Sequence, residues 1–285
     1  MQLGSTGIWS IELRMADPHE IADTAAELDE LGWGTLWFPG LGGGDVLADS
    51  ERLLRATRRA TVAIGVASMW RHPAGEMAAG HARLQETYGG RHMLGLGVSD
   101  PAAARAAGHP YRPLADMARY LDDLDRAPAP VAAADRLMAA LGPRMTELAG
   151  RRTAGVHPFM VTPDYTAAAR KQLGDGPLIA PYQAVVLERD PATARASARD
   201  FLGIFLGMHH YAQSLLRQGF TEQDLAAGGS DRLIDSVVAW GDVEAIGARL
   251  RAHHQAGADH VCLHVVGAGP GMPLPQWREL AVLTA

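Results

Sequence analysis

Short apolar runs alternate with amphipathic segments along almost the whole chain, and this alternation is what most limits the folds open to it. A strand that is apolar throughout must be covered on both faces, and helices placed between successive strands cover a parallel sheet in this way. The runs 34–38 (GTLWF), 61–69 (TVAIGVASM) and 92–98 (HMLGLGV) read as such strands. Further strands are expected at 3–9, 136–141, 155–159, 179–187 and 260–266, which gives eight in all. Eight such strands close into a barrel, whereas fewer give an open doubly wound sheet. The expectation is an α/β chain forming one (β/α)8 TIM barrel over residues 1–285.

Helix signals fall between these runs. Asp17 is placed to cap a helix whose first position is Pro18. Ile21, Ala25, Leu28 and Leu31 then form one apolar face, and Gly32 is placed to end it. Other helices are expected at 73–88, 143–151, 166–173, 191–218 and 243–256. The stretch 99–134 has Pro and Ala clusters and weak strand character, and is read as an insertion or lid. Residues 219–236 are read as a second irregular segment, turning at Gly228-Gly229-Ser230.

Composition excludes several classes of function. The chain of 285 residues is 47% apolar, enough for one substantial core. With 26 basic against 32 acidic residues its formal charge is −6, which argues against a nucleic-acid partner and for a small molecule. No run reaches the roughly 18 apolar residues of a membrane span, and the first ten residues do not read as a signal peptide. The lone Cys262 cannot form an intramolecular disulfide. Together these features give the expectation of a cytoplasmic protein.

In such a barrel the site lies at the C-terminal ends of the strands. Pro39 and Gly40 follow one strand, Ala67 and Ser68 close a second, and Gly97 and Val98 a third. Small residues at three neighbouring strand ends would let a flat ring approach the backbone; glycine and alanine there also simply make turns. The run Gly42–Gly44 lacks the spacing of a dinucleotide fingerprint, no clear helix start follows it, and a flexible loop is the reading. His72, before Pro73 at a helix start, and His157, at a strand end, are the polar candidates for catalysis. Trp9, Trp37 and Trp70 sit at or near strand ends as a possible aromatic wall, with core packing as the alternative. No metal site is read. His209-His210 and His253-His254 are adjacent pairs that diverge by about 100° on a helix, so neither chelates one ion as an i, i+4 pair can, and His253 and His254 are expected at the surface.

The segments LGWGTLWFPG, GGGDVLAD, ATVAIGV, GGRHMLGLGVS, MAALGPRMTELA, HPFMVTPDYTAAAR, GSDRLIDSVVAWGD and AGADHVCLHVV run in order over most of the chain. They resemble the luciferase-like monooxygenase superfamily, in particular its actinobacterial branch of F420-dependent oxidoreductases. The resemblance implies a barrel with an insertion, F420 or alternatively FMN as coenzyme, a homodimer, and in some branches a separate coenzyme reductase. It implies a non-proline cis peptide near Ala67-Ser68 and a coenzyme phosphate near Thr162. The chain departs from the family at Pro181-Tyr182-Gln183, where relatives often have Pro-Glu-Gln, and at Met208-His209-His210-Tyr211, where relatives usually read like LPNY. Tyr182, His209 and His210 therefore join the candidates for the substrate pocket.

Three functions follow. One is an F420-dependent oxidoreductase moving a hydride between the deazaflavin and a small, partly apolar organic substrate. The second is an FMN-dependent luciferase-like monooxygenase. The third is a barrel-fold binding protein that has lost redox catalysis.

Overall fold

A computed structural model describes residues 3–41, 44–99 and 101–284. Ten strands, all parallel, form one sheet: β1 (Thr6–Trp9), β2 (Thr35–Gly40), β3 (Thr61–Ser68), β4 (His92–Gly97), β5 (Arg136–Met138), β6 (Gly155–Val156), β7 (Leu178–Ile179), β8 (Tyr182–Val186), β9 (Val238–Trp240) and β10 (Val261–Val265). Their order is β7-β6-β5-β4-β3-β2-β1-β10-β8-β9. The sheet curls, because β7 and β8 are two parts of one run of chain. On one side Ala180 N–H donates to the Val156 carbonyl and Tyr182 N–H to the Pro158 carbonyl, both at 2.9 Å. On the other, Cys262 N–H donates to the Pro181 carbonyl at 2.8 Å. Pro181, which has no N–H to give, separates the two strands.

The helices form because the sequence supplies their ends. Asp17 accepts from the His19 and Glu20 N–H groups and starts Pro18–Glu30; Thr162, Asp190, Ser230 and Asp242 cap later helices in the same way. Ile21, Ala25 and Leu28 are buried, as their spacing predicts.

Several elements differ from the sequence reading. Gly42 and Gly43 lie outside the described residues, but a helix does follow them at once: Val46–Ala56, capped by Asp45. Most of 99–134 is helical, with Pro101–Ala106 followed by Pro113–Arg126. The second helix carries Met117, Tyr120, Leu121 and Leu124 on one buried face and spans from β4 to β5 as a crossover. The helix expected over 191–218 is two, Pro191–Leu206 and His209–Arg217. Within 219–236 lie Glu222–Leu225 and the start of Asp231–Val237, and the short apolar run that follows is β9. His253 is buried, bonded to Thr166 Oγ1 at 2.9 Å and Gln183 Oε1 at 3.0 Å. No helix among the described residues is long and apolar enough to cross a membrane.

Candidate functional site

Strand periodicity places alternate residues on the inner face of the curled sheet. Trp37, Ala63, Met93, Leu137, Ala180 and Cys262 fill one inner layer together with Leu3. Trp37 is therefore core: it is fully buried and donates through Nε1 to His260 Nε2 at 3.0 Å. His157 stacks on it, with centroids 4.5 Å apart and planes 9° apart, and its Nδ1 meets the Ala180 carbonyl at 2.7 Å. Burial holds His157 at a pKa of about 4. It is neutral at pH 7, and Nδ1 is the donor to that carbonyl.

Two positions further along each strand lies the layer at the mouth. Trp9, Tyr182 and His264 occupy it on β1, β8 and β10, with Trp9 and His264 centroids 4.7 Å apart and Trp9 and Tyr182 5.3 Å apart. Tyr182 Oη donates to His264 Nδ1. Burial raises the phenol pKa and lowers that of His264 to about 3, so the pair is neutral. Phe159, Phe201, Phe205 and Tyr211 extend the cluster outward. His210 touches Tyr211 at 4.0 Å between centroids, whereas His209 is exposed.

The ends of β2, β3 and β4 form the other side. β3 is irregular there: its register against β4 shifts between Ala63 and Ala67, and a cis peptide joins Gly65 and Val66. That bond lies just before the Ala67-Ser68 position expected by resemblance. The glycines answer to this crowding. A Cβ on Gly40 would come within 2.6 Å of Ala67 Cα, one on Gly65 within 2.9 Å of Trp9 Nε1, and one on Gly97 within 2.7 Å of a Val66 methyl. Trp9 Nε1 donates to the Gly65 carbonyl at 2.9 Å.

Pro39, Gly40, Ala67, Ser68, Gly97 and Val98 are thus brought together. Gly40 pairs with Ala67 and Ser68 with Gly97, and the Val98 carbonyl accepts from Trp70 Nε1 at 2.6 Å. Ser68 Oγ and His72 Nε2 are buried atoms with no hydrogen-bond partner among the described residues. Burial, followed by the charges of Arg14 and Arg71, pushes the His72 pKa down. Thr162 sits apart from this group, its hydroxyl engaged as a helix cap to Tyr165 N–H at 3.2 Å and facing Gln218 at 3.3 Å.

Two residues escaped the sequence reading. Arg14 is buried, donates to the Pro39 carbonyl at 3.0 Å and to the Leu41 carbonyl, and pairs with Asp49 at 2.7 Å, so it fixes the loop after β2. Its signal was its place just beyond the first strand. His264 shares the alternation of His260 and Cys262, a period of two that puts all three on the inner face.

The fold is shared with proteins of known structure. An F420-dependent secondary alcohol dehydrogenase, solved with an F420-acetone adduct, superposes with a TM-score of 0.77 at 14% identity over 100% of both chains. The coenzyme F420-dependent tetrahydromethanopterin reductase of Methanopyrus kandleri gives 0.72 at 15% identity, over 99% of this chain and 98% of that one. The oxygenating constituent of 3,6-diketocamphane monooxygenase from Pseudomonas putida, with FMN, gives 0.69 at 15%, over 100% of this chain and 97% of that one. No family model matches the chain, and no curated protein does. At these identities the likeness is one of fold.

Proposed function

We propose that this protein is an F420-dependent oxidoreductase acting on a small, partly apolar organic substrate, with the coenzyme ring held at the ends of β2, β3 and β4. The observation that carries this reading is that two of the six buried polar atoms without a partner among the described residues, Ser68 Oγ and His72 Nε2, fall at and just after the irregular end of β3. Buried polar atoms are normally paired, so these two fit a site completed by a ligand. The full-length likeness to F420-dependent enzymes supports a deazaflavin as that ligand. FMN is the second reading, supported by the likeness to the FMN-bound monooxygenase constituent.

In this reading the curled sheet is a (β/α)8 barrel, with 178–186 as one strand of eight and β9 outside the ring. The whole chain is one such domain, cytoplasmic and homodimeric. Pro39, Gly40, Ala67, Ser68, Gly97 and Val98 hold the ring, and Trp9, Trp70, Tyr182 and His210 border the substrate. A deazaflavin held there would supply hydride transfer to or from a substrate carbon. The chain must then handle one proton at the substrate oxygen. His72 is the group we assign to it: with its pKa lowered it is neutral at pH 7, and a neutral Nε2 accepts a proton from a hydroxyl. That suits oxidation of an alcohol. His157, locked between Trp37 and the Ala180 carbonyl, orients rather than exchanges protons.

The test is parallel fluorescence titration with F420 and with FMN. Binding of F420 alone at micromolar or lower concentration is expected. Preference for FMN moves the chain to the monooxygenase reading, and binding of neither removes both and leaves a barrel-fold binding protein.

A further inference from the structure

A cleft of about 700 Å³ lies on the outer flank, between the helices Pro113–Arg126 and Pro143–Arg152, with no strand residue in its lining. Arg112, Arg144 and Arg151 line it, against a single acid, Glu147, with Leu114 and Leu148 between them. Arg144, Glu147 and Arg151 recur at helical spacing and so share one face of their helix. Three arginines against one glutamate make a basic cleft on a chain whose net charge is −6.

Most arginines of this chain are taken up by its own acids or carbonyls: Arg14 by Asp49, Arg136 by Asp125, Arg170 by Asp259 and Arg195 by Asp235. In the cleft, Arg151 pairs with Glu147. The Arg112 and Arg144 side chains meet no carboxylate and no other acceptor among the described residues. The nearby Asp116 is engaged elsewhere: it accepts the Arg112 main-chain N–H at 2.9 Å and pairs with Arg119 at 3.2 Å. Guanidinium groups bind phosphate and carboxylate oxygens two at a time, and several around one concavity suit a ligand carrying several negative charges. The volume is in the range of small-molecule sites, roughly 300–1,000 Å³.

We propose that this cleft binds a multiply charged oxyanion, phosphoryl groups above all, through Arg112, Arg144 and Arg151. The oxyanion belongs either to a free phosphorylated small molecule or to the acidic tail of the coenzyme proposed above. The cleft itself does not rest on that reading, since its charge and shape stand without it.

Calorimetric titration with inorganic pyrophosphate tests it, on the wild-type chain and on the double variant Arg112→Gln/Arg144→Gln. Both side chains are exposed, so the variant keeps its fold. Wild type is expected to bind, and the variant to bind at least about tenfold more weakly, the loss expected when charge-assisted hydrogen bonds are removed. Glu147→Gln, which removes the one lining acid, is expected to bind a few-fold more tightly. The proposal is overturned if millimolar pyrophosphate gives no binding heat with wild type, if the double variant binds as wild type does, or if Glu147→Gln fails to tighten binding. F420 titrated against the same double variant separates the sources. A parallel loss assigns the cleft to the coenzyme tail, and unchanged F420 affinity with pyrophosphate binding lost assigns it to a free oxyanion. Failure of F420 to bind wild type at all would strike the F420 reading and leave the pyrophosphate result standing.

Discussion

On one side of the mouth, β2, β3, β4 and the residue after β5 bring Pro39, Gly65, Gly95 and Ala139 inward; on the other, β1, β8 and β10 bring Trp9, Tyr182 and His264. The first side has almost no side-chain volume, and its shape is set by how closely backbones approach. The second is a set of interlocked rings whose polar atoms answer one another, as Tyr182 answers His264. Trp9 reaches from the second side to the first, where its indole lies against Gly65. One half of the mouth thus pairs its polar atoms within itself, while in the other Ser68 Oγ and His72 Nε2 have no partner among the described residues. Close strand packing holds the half that carries Ser68 rigid.

The strongest way to break this contrast is Gly95→Ala. Its Cβ would overlap the Ile64 carbonyl oxygen, a main-chain atom that cannot swing away. We expect a loss above about 4 kcal/mol or no soluble protein, measured by denaturant unfolding. A variant of near-native stability would show that backbone crowding does not shape this half.

Acid should act next, and on both halves alike, because buried histidines lie throughout the fold. Burial holds His157 and His260 near pKa 4 and His253 and His264 near 3, so all four are neutral in the folded chain at pH 7. Released by unfolding, each takes up a proton near 6.5, so the unfolded state gains protons first as pH falls. The stability they contribute is whole above about pH 6.5 and is lost as the pH drops toward 4. The melting temperature should fall steeply across that window, by several kcal/mol of stability in all. A flat profile from pH 7 to 5 would mean that these imidazoles are not held neutral.

The smallest effects sharpen the contrast most. Tyr182→Phe leaves His264 Nδ1 buried without its donor and should cost about 1–3 kcal/mol. Ser68→Ala removes an atom with no hydrogen-bond partner among the described residues, so thermal unfolding should change by less than about 0.5 kcal/mol while F420 binding weakens. Equal stability losses in the two variants would erase the distinction between a finished half and an open one.

The sequence made the large elements readable, and the reasons are physical. A short apolar run rich in β-branched residues, such as TVAIGVAS, favours a buried strand, and Asp17-Pro18 favours a helix start. The crossover Pro113–Arg126 was missed because proline and alanine around it masked a regular face of Met117, Tyr120, Leu121 and Leu124. The break at Gly207 was missed because apolar residues continue on both sides of it. At the site, strand-end and helix-start logic singled out Ser68 and His72, because where they stand depends only on position along the chain. It could not place Trp37 in the core or pair Tyr182 with His264, since both depend on which strands meet across the sheet.

The run from β7 to β8 changes neighbours partway along. Up to Tyr182 it is bonded to β6 and the residues that flank it, and from Ala184 that flank is taken by β9, whose only strand partner among the described residues is β8. The helices of 191–237 are held to the sheet chiefly by side chains: Ala198, Leu202, Leu206, Leu233 and Ile234 share one buried cluster with Tyr182, Ala184 and Val186. Their attachment therefore rests on apolar burial rather than on the strand ladder, and a substitution that empties this cluster would loosen the segment while the ring of strands beneath keeps its pairing.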